Sequence, residues 1–456
     1  MAVGGRRILA LGSRDEVESL RGPDTRIVDL EGRFVVPGFM DSHTHFIRGG
    51  LEMGKIDLGD VSSSDEFIAR VKEYARGLPQ DRWITGGDWD HERWGGELPQ
   101  RSWIDSVAGD IPLFVTRVDG HMGLANSRAL ELAGIDSQTP APPGGVIVRD
   151  PLTGKPTGIL KEMAMSLIES VVPEPSQEEL DDALARAMEF AASQGITQIH
   201  DMCVWRDLET YRRAHDRNDL TLRVYAFVWY TDWERLISFV EKNGRGDSWL
   251  RWGGVKAILD GSLGSQTAWM YRPYEDDTTT SGMVVSEDTV RLREIIAGAD
   301  KAGLQLAIHA IGDRANDWLL DTYEAQITQG DGGRDRRFRI EHAQHLTTDA
   351  LERFHSLGVI ASMQPYHAID DGRWAEKRIR GVVLKTSYAF RSLLDAKAIV
   401  SFGSDWNVAP LDPLKGVYAA VTRRTLDGKH PEGWYPDQKI TVEEALRAYT
   451  WANAYA

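Results

Sequence analysis

His43 and His45 stand two positions apart in FMDSHTHF, just after the turn residues Pro37 and Gly38. Side chains alternate along a strand, so two imidazoles at this spacing face the same way. Beside Asp41 and Ser42 they do not look like core; they look like half of a metal site whose other ligands come from elsewhere. Candidates recur downstream: Lys256 in VKAILDGS, His309 in LQLAIHAIG, His342 in RIEHAQH and Asp405 in SFGSDW. Ionisable groups in such apolar runs are costly unless paired or bound to metal. Imidazole and carboxylate together suit zinc, and also manganese, iron or nickel. Each piece alone has a plainer explanation. The His pair could be coincidence or a support arrangement, the His of LAIHA a satisfied core residue, Asp405 a helix cap, and Lys256 a salt-bridged lysine with a partner such as Asp260. Their joint placement at strand ends favours a site.

Those strand ends follow from the rhythm of the chain. MDSHTH, ITQIHDM, RVYAFV, VKAILDG, LAIHA, RIEHA, VIASMQ and VSFGSD read as strands, and helical spacing separates several of them. SQEELDDALARAMEFAASQG is a helix with Ser176 as N-cap and Gly195 just past its end. Alternating strand and helix implies a parallel sheet, and eight strands close a TIM-type (β/α)8 barrel. The rival is an open doubly wound sheet, but no glycine-rich phosphate loop supports it. The expected organisation is an N-terminal β-sandwich part over 1–36, the barrel over 37–60 and 175–456, and an insertion after the first strand over 61–174. Glycine and proline density in the insertion predicts loops and short strands. Its Trp83, Trp89 and Trp94 are expected to pack the insertion.

Composition narrows the function. The 456 residues carry 53 basic and 69 acidic groups, a net charge of −16. Nucleic acid and anionic membranes are therefore not expected partners; the resemblance described below implies a small-molecule one, and a homo-oligomer is compatible with the composition. The single cysteine, Cys203, excludes an internal disulfide framework and a thiolate cluster and reads as a small buried apolar residue. No apolar run is long enough to span a bilayer. Asp15 and Glu16 arrive too soon for a signal peptide, so the expected location is cytoplasmic.

GFMDSHTHF, VKAILDGSLGSQTA, AIHAIGDRAN, RIEHAQH and SFGSDWNV together resemble the amidohydrolase superfamily, in its "amidohydrolase 3" branch of YtcJ-like proteins and N-substituted formamide deformylases. VDGHMGLANSRAL and GGDWDHERW are similar to segments of the insertion of that branch. The resemblance implies one or two divalent metals per chain, zinc first among them. It makes His43 and His45 ligands of the more buried metal, Lys256 a carboxylated bridge, His309 and His342 ligands of a second metal, and Asp405 both ligand and proton shuttle. It implies hydrolysis of a carbon–nitrogen bond, amide or N-substituted formamide-like, by metal-bound hydroxide. A lyase or isomerase on the same scaffold and a non-catalytic small-molecule binder are the alternatives. His345, three after His342, competes with it as a ligand; His345 or His121 is also the candidate oxyanion contact. His200 is either a support residue or a hydrogen-bonded strand-end histidine, and His367 is placed to line a pocket after strand seven. Members of the branch carry more strands before GGRRILALGS and a return after the barrel, so the small sandwich is expected to be incomplete here.

Overall fold

The computed structural model describes residues 1–456 apart from 6, 80–81, 118–121, 143–144, 285–288 and 331–333. The chain divides into two compact units, Met1–Pro37 and Gly38–Ala456. In the first, Ala2–Gly4 pairs antiparallel with Arg7–Ala10. A short helix, Arg14–Glu18, follows, capped reciprocally by Ser13 and Glu16.

The second unit is built on eight strands: β1 (Phe39–Thr44), β2 (Ile196–Cys203), β3 (Arg223–Trp229), β4 (Leu250–Ile258), β5 (Gln305–Ala310), β6 (Arg339–His342), β7 (Ile360–Met363) and β8 (Ile399–Phe402). They lie side by side in sequence order, and every pairing is parallel. The two edges meet just beyond β1 and β8. Thr44 bridges Trp406 in parallel, Asp405 N donates to His43 O at 2.8 Å, and His45 N donates to Trp406 O at 2.5 Å. The sheet therefore curls into a nearly closed barrel, as the eight apolar strands predict. β6 and β7 are buried at every position, as strands covered on both faces are.

Helix Gln177–Ser193 begins at Ser176, whose hydroxyl accepts from Glu179 N while Glu179 reaches back to the cap. It buries Leu180, Ala183, Leu184, Ala187, Met188 and Ala191, a stripe of helical period. Gly195 has φ +73°, the left-handed conformation that ends helices. This helix seats helix Phe46–Met53, which starts directly after His45. The two come close because position 50 is glycine; a Cβ there would stand 2.1 Å from the Ala183 carbonyl oxygen.

Between β1 and β2 lies a second, six-stranded sheet. Its order is Ile56–Asp57, Ile84–Trp89, Leu113–Arg117, Met122–Ala125, Pro156–Glu162, Gly145–Arg149. The first three strands are parallel and the remaining pairings antiparallel. The region is more regular than its glycine content suggests, and the sheet opens ahead of residue 61. Helix Ser64–Ala75 repeats Phe67, Val71 and Ala75 every four residues, and that face packs with Ile84, Trp89 and Leu113. Trp89 is fully buried and its Nε1 donates to Val115 O at 3.0 Å. Trp94 packs against the same core and Trp83 against its neighbour, so all three tryptophans pack the insertion. Among the described residues, no helix is long and apolar enough to cross a membrane.

Arg423 braces the segments beyond β7. It is wholly buried, and it donates to the carbonyl oxygens of Trp434 (2.7 Å), Tyr388 (2.9 Å) and Ser387 (3.3 Å). Its guanidinium carbon lies 5.5 Å from the ring centres of Phe390 and Trp434. Burial pulls its pKa down to about 9. Arg423→Met leaves these carbonyls without their donor, and the expected destabilisation is about 3 kcal/mol. A urea midpoint equal to that of the wild type would show that water replaces the guanidinium.

Candidate metal centre

The six residues His43, His45, Lys256, His309, His342 and Asp405 line one cavity of about 720 Å³. His43 lies within β1 and His45 is the first residue beyond it. Lys256 is in β4, His309 in β5 and His342 ends β6, while Asp405 follows β8 by three residues. His43 Nε2 is 3.3 Å from Lys256 Nζ and 3.6 Å from Asp405 Oδ1. His45 Nε2 is 3.3 Å from the same oxygen. The His342 ring centre lies 4.8 Å from that of His43 and 4.4 Å from that of His309. One donor atom from each of His43, His45 and Asp405 falls within a 4.8 Å span.

Three of these imidazoles turn one ring nitrogen to an oxygen of the protein outside the centre. His43 Nδ1 meets Glu341 Oε2 at 2.5 Å, His342 Nδ1 meets Gln364 Oε1 at 2.8 Å, and His309 Nε2 meets Gly261 O at 3.1 Å. Such outer partners orient metal-binding imidazoles. Burial, with the nearby Lys256 cation adding to it, lowers the pKa of His43 to about 4 and that of His309 to about 3. His342 is pushed well down by burial and by its neighbours His309 and His43. All three are therefore neutral at pH 7, the form a metal requires. Burial lowers Lys256 to about 8, against the pull of Glu341 and Asp405. Burial alone would raise the Asp405 carboxyl, but hydrogen bonds from His367 and His45 hold it well below the usual range. His43, His45 and Asp405 thus fit a divalent metal in residue type and placement.

The backbone marks two of the same residues. His342 has φ 74° and Asp405 φ 63°, left-handed values unusual for non-glycine residues. Such strain costs about 1–3 kcal/mol per residue and collects at functional sites.

Several supporting residues have long-range partners that spacing did not reveal. Asp201, at the end of β2, accepts from Phe46 N at 2.6 Å and Thr44 Oγ1 at 3.1 Å, and from Tyr211 OH at 2.7 Å. His45 gives the helix after it no side-chain cap, so Asp201 supplies that capping from the next strand. Asp260 accepts from the backbone nitrogens of Trp269, Ile311 and Gly312 at 2.8, 2.9 and 2.8 Å. It thereby ties the segments after β4 and β5 together, and these contacts do not involve Lys256. His367 lines the cavity, with Nε2 3.3 Å from Asp405 Oδ2. His200 is buried behind the site, its Nδ1 2.7 Å from Arg339 Nη1. The only signal for Asp201 and Asp260 was a carboxylate at a strand end.

His345 is not among the residues that line the cavity. Left-handed backbone at His342 and Ala343 turns the chain after β6, so three-residue spacing does not keep the two histidines on one face. His345 is fully buried, with Nδ1 2.7 Å from Ser387 Oγ. His121 lies outside the described residues. Burial alone lowers the His345 pKa from 6.5 to about 3. A depressed histidine pKa contributes stability that is complete above the unfolded value and is lost as pH falls from about 6.5 toward 3. The stability difference between wild type and His345→Gln should therefore fall by up to about 1.4 kcal/mol per pH unit below 6.5. Urea titrations at pH 7.5, 6.0 and 5.0 measure it; a constant difference would mean that the ring is solvated in the fold.

Imidazoles, an amine and a carboxylate gathered at the ends of β1, β4, β5, β6 and β8 define a barrel of the metal-dependent hydrolase class. Residues 26–456 match the amidohydrolase family (Amidohydro_3), and the chain belongs to that family. It is 42% identical over 469 residues to Protein LONG AFTER FAR-RED 3 of Arabidopsis thaliana, covering 100% of this chain and 80% of the relative. It is 31% identical over 474 residues to N-substituted formamide deformylase of Arthrobacter pascens, covering 100% and 85%. An uncharacterized metal-dependent hydrolase of Pyrococcus horikoshii superposes with a TM-score of 0.80 at 31% identity, covering 99% of this chain and 88% of the other.

Proposed function

We propose that this chain is a metal-dependent hydrolase that cleaves a carbon–nitrogen bond in an amide or N-substituted formamide-like small molecule. The observation that carries the proposal is the convergence of neutral imidazoles, Lys256 and Asp405 on one cavity. The hydrolase class is supported by the family and by the Pyrococcus structure; the choice of bond is suggested by the Arthrobacter relative.

His43, His45 and Asp405 would hold one metal and His309 and His342 a second, with Lys256, as a carbamate, between them. A divalent ion bound there lowers the pKa of a water to about 7 and polarises a carbonyl. The remaining steps belong to the chain. Asp405, whose Oδ2 lies 3.3 Å from His367 Nε2, would take a proton from the attacking water and return it to the leaving nitrogen. Hydrogen bonding keeps Asp405 ionised until it does so. Trp229, Leu263, Tyr366 and Trp374 line the cavity around this polar centre and give an apolar substituent a place beside the scissile bond.

The test is a screen of N-substituted formamides and amides in oxygen-18 water, using zinc-loaded protein whose metal content has been measured. Label in the carboxylate product is expected. Turnover without label would overturn hydrolysis, and well-folded protein that takes up no metal would overturn the site.

A further inference from the structure

The interior of an eight-stranded barrel is ordinarily filled with branched apolar side chains. Beneath the candidate centre this one holds an ion pair. Arg339 and Glu341 stand two apart on β6 and so share a face. Both are wholly buried, as are His43 and Ser362, and His200 is nearly so. Arg339 Nε donates to Glu341 Oε1 at 2.7 Å and Nη2 to Oε2 at 3.1 Å, a two-pronged contact. Nη2 also reaches Ser42 O at 2.6 Å and Ser362 Oγ at 2.9 Å, and Nη1 reaches His200 Nδ1 at 2.7 Å. The guanidinium carbon sits 4.8 Å from the Phe227 ring centre. One side chain thus ties β6 to β1, β2, β3 and β7. Glu341 Oε2 then meets His43 Nδ1 at 2.5 Å.

Stability does not explain this arrangement. Burying two charges costs desolvation that their attraction barely repays, and well-packed apolar residues often do as well. What the pair provides is direction. A carboxylate only accepts, so it requires the proton of His43 on Nδ1 and leaves the lone pair on Nε2. That Nε2 is the ring nitrogen that lies 3.3 Å from Lys256 Nζ and 3.6 Å from Asp405 Oδ1. The arginine in turn allows Glu341 one orientation, because both of its oxygens are engaged.

We propose that Arg339 and Glu341 are a positioning unit that fixes the tautomer and ring orientation of His43, so that Nε2 is presented to the metal. This rests on the reading of His43 as a ligand. Neither residue touches substrate; both act through His43.

Two measurements test it. The first uses metal-free wild-type protein carrying nitrogen-15 histidine. The His43 resonances, assigned by their loss in His43→Gln, should report the Nδ1–H tautomer and shift in Glu341→Gln. The second is the zinc dissociation constant by chelator competition. Glu341→Gln places an amide where both Arg339 and His43 need an acceptor, and zinc binding should weaken about 10–100-fold. Arg423→Met, destabilised but outside the cavity lining, should bind zinc as wild type does, which separates positioning from general loss of stability. An Nε2–H tautomer in the wild type would overturn the proposal, and so would wild-type zinc affinity in Glu341→Gln. If Glu341→Gln fails to fold, the wild-type tautomer still decides. If wild-type protein binds no zinc, the functional reading falls, while the metal-free tautomer still answers for the positioning unit.

Discussion

Asp405→Asn should lower kcat for hydrolysis by about 10³-fold while the protein keeps its fold and most of its metal. Asparagine is isosteric and tolerates a left-handed backbone well, so the φ of 63° at this position survives the change. The backbone nitrogen of residue 405 still reaches His43 O, now 2.8 Å away, so the contact that closes the barrel is retained. What disappears is a carboxylate able to accept a proton at Oδ2 and release it again, a contribution of about 10²–10⁴ in rate. His43, His45, His309 and His342 remain to hold metal. Single-turnover kinetics on metal-loaded variant and wild type measure the loss. Metal-replete Asp405→Asn turning over at the wild-type rate would rule out the shuttle role.

Lys256→Ala should reduce the metal content from about two to one or fewer per chain and cut activity by at least about 100-fold, more than supporting residues usually cost. Lys256 is 2% exposed, and among the described residues its hydrogen-bond partner is His43 Nε2 at 3.3 Å. A buried amine with a pKa of about 8 is partly neutral at pH 7–8. On the proposed reading the neutral amine would add to carbon dioxide, lose a proton and become an anionic carbamate, with two oxygens available to metal. Two further results should follow. Wild-type reconstitution should depend on bicarbonate, and that of the variant should not. A short carboxylate such as propionate, entering the space left by the side chain, should restore metal to the variant. Two metals per chain in Lys256→Ala without added carboxylate would remove lysine from the centre.

The largest features of the molecule were legible because they are local. Each barrel strand carries its own apolar run, and the candidate ligands sit at the ends of those runs. Strand order and closure then follow from short parallel connections, which leave few arrangements. Ser176 and Gly195 mark the bounds of their helix because caps are read within a few residues. The insertion was less legible. Its helix Ser64–Ala75 had a four-residue apolar repeat, but the surrounding glycines and prolines masked the sheet it packs on.

The sequence by itself determined the residue types of the centre, their strand-end positions and the barrel that gathers them, since alternation and burial act over a few residues. Only the tertiary structure decided what holds each group in place. Glu341 lies 298 residues from His43 along the chain, Asp201 lies 155 from Phe46, and Asp260 lies 51 from Ile311. No local pattern encodes such partners; they exist because the closed barrel brings distant strands within hydrogen-bond reach. The separate placement of His342 and His345 is of the same kind. Two histidines three apart are equivalent in a string of letters, and a left-handed turn at residues 342 and 343 separates them in space.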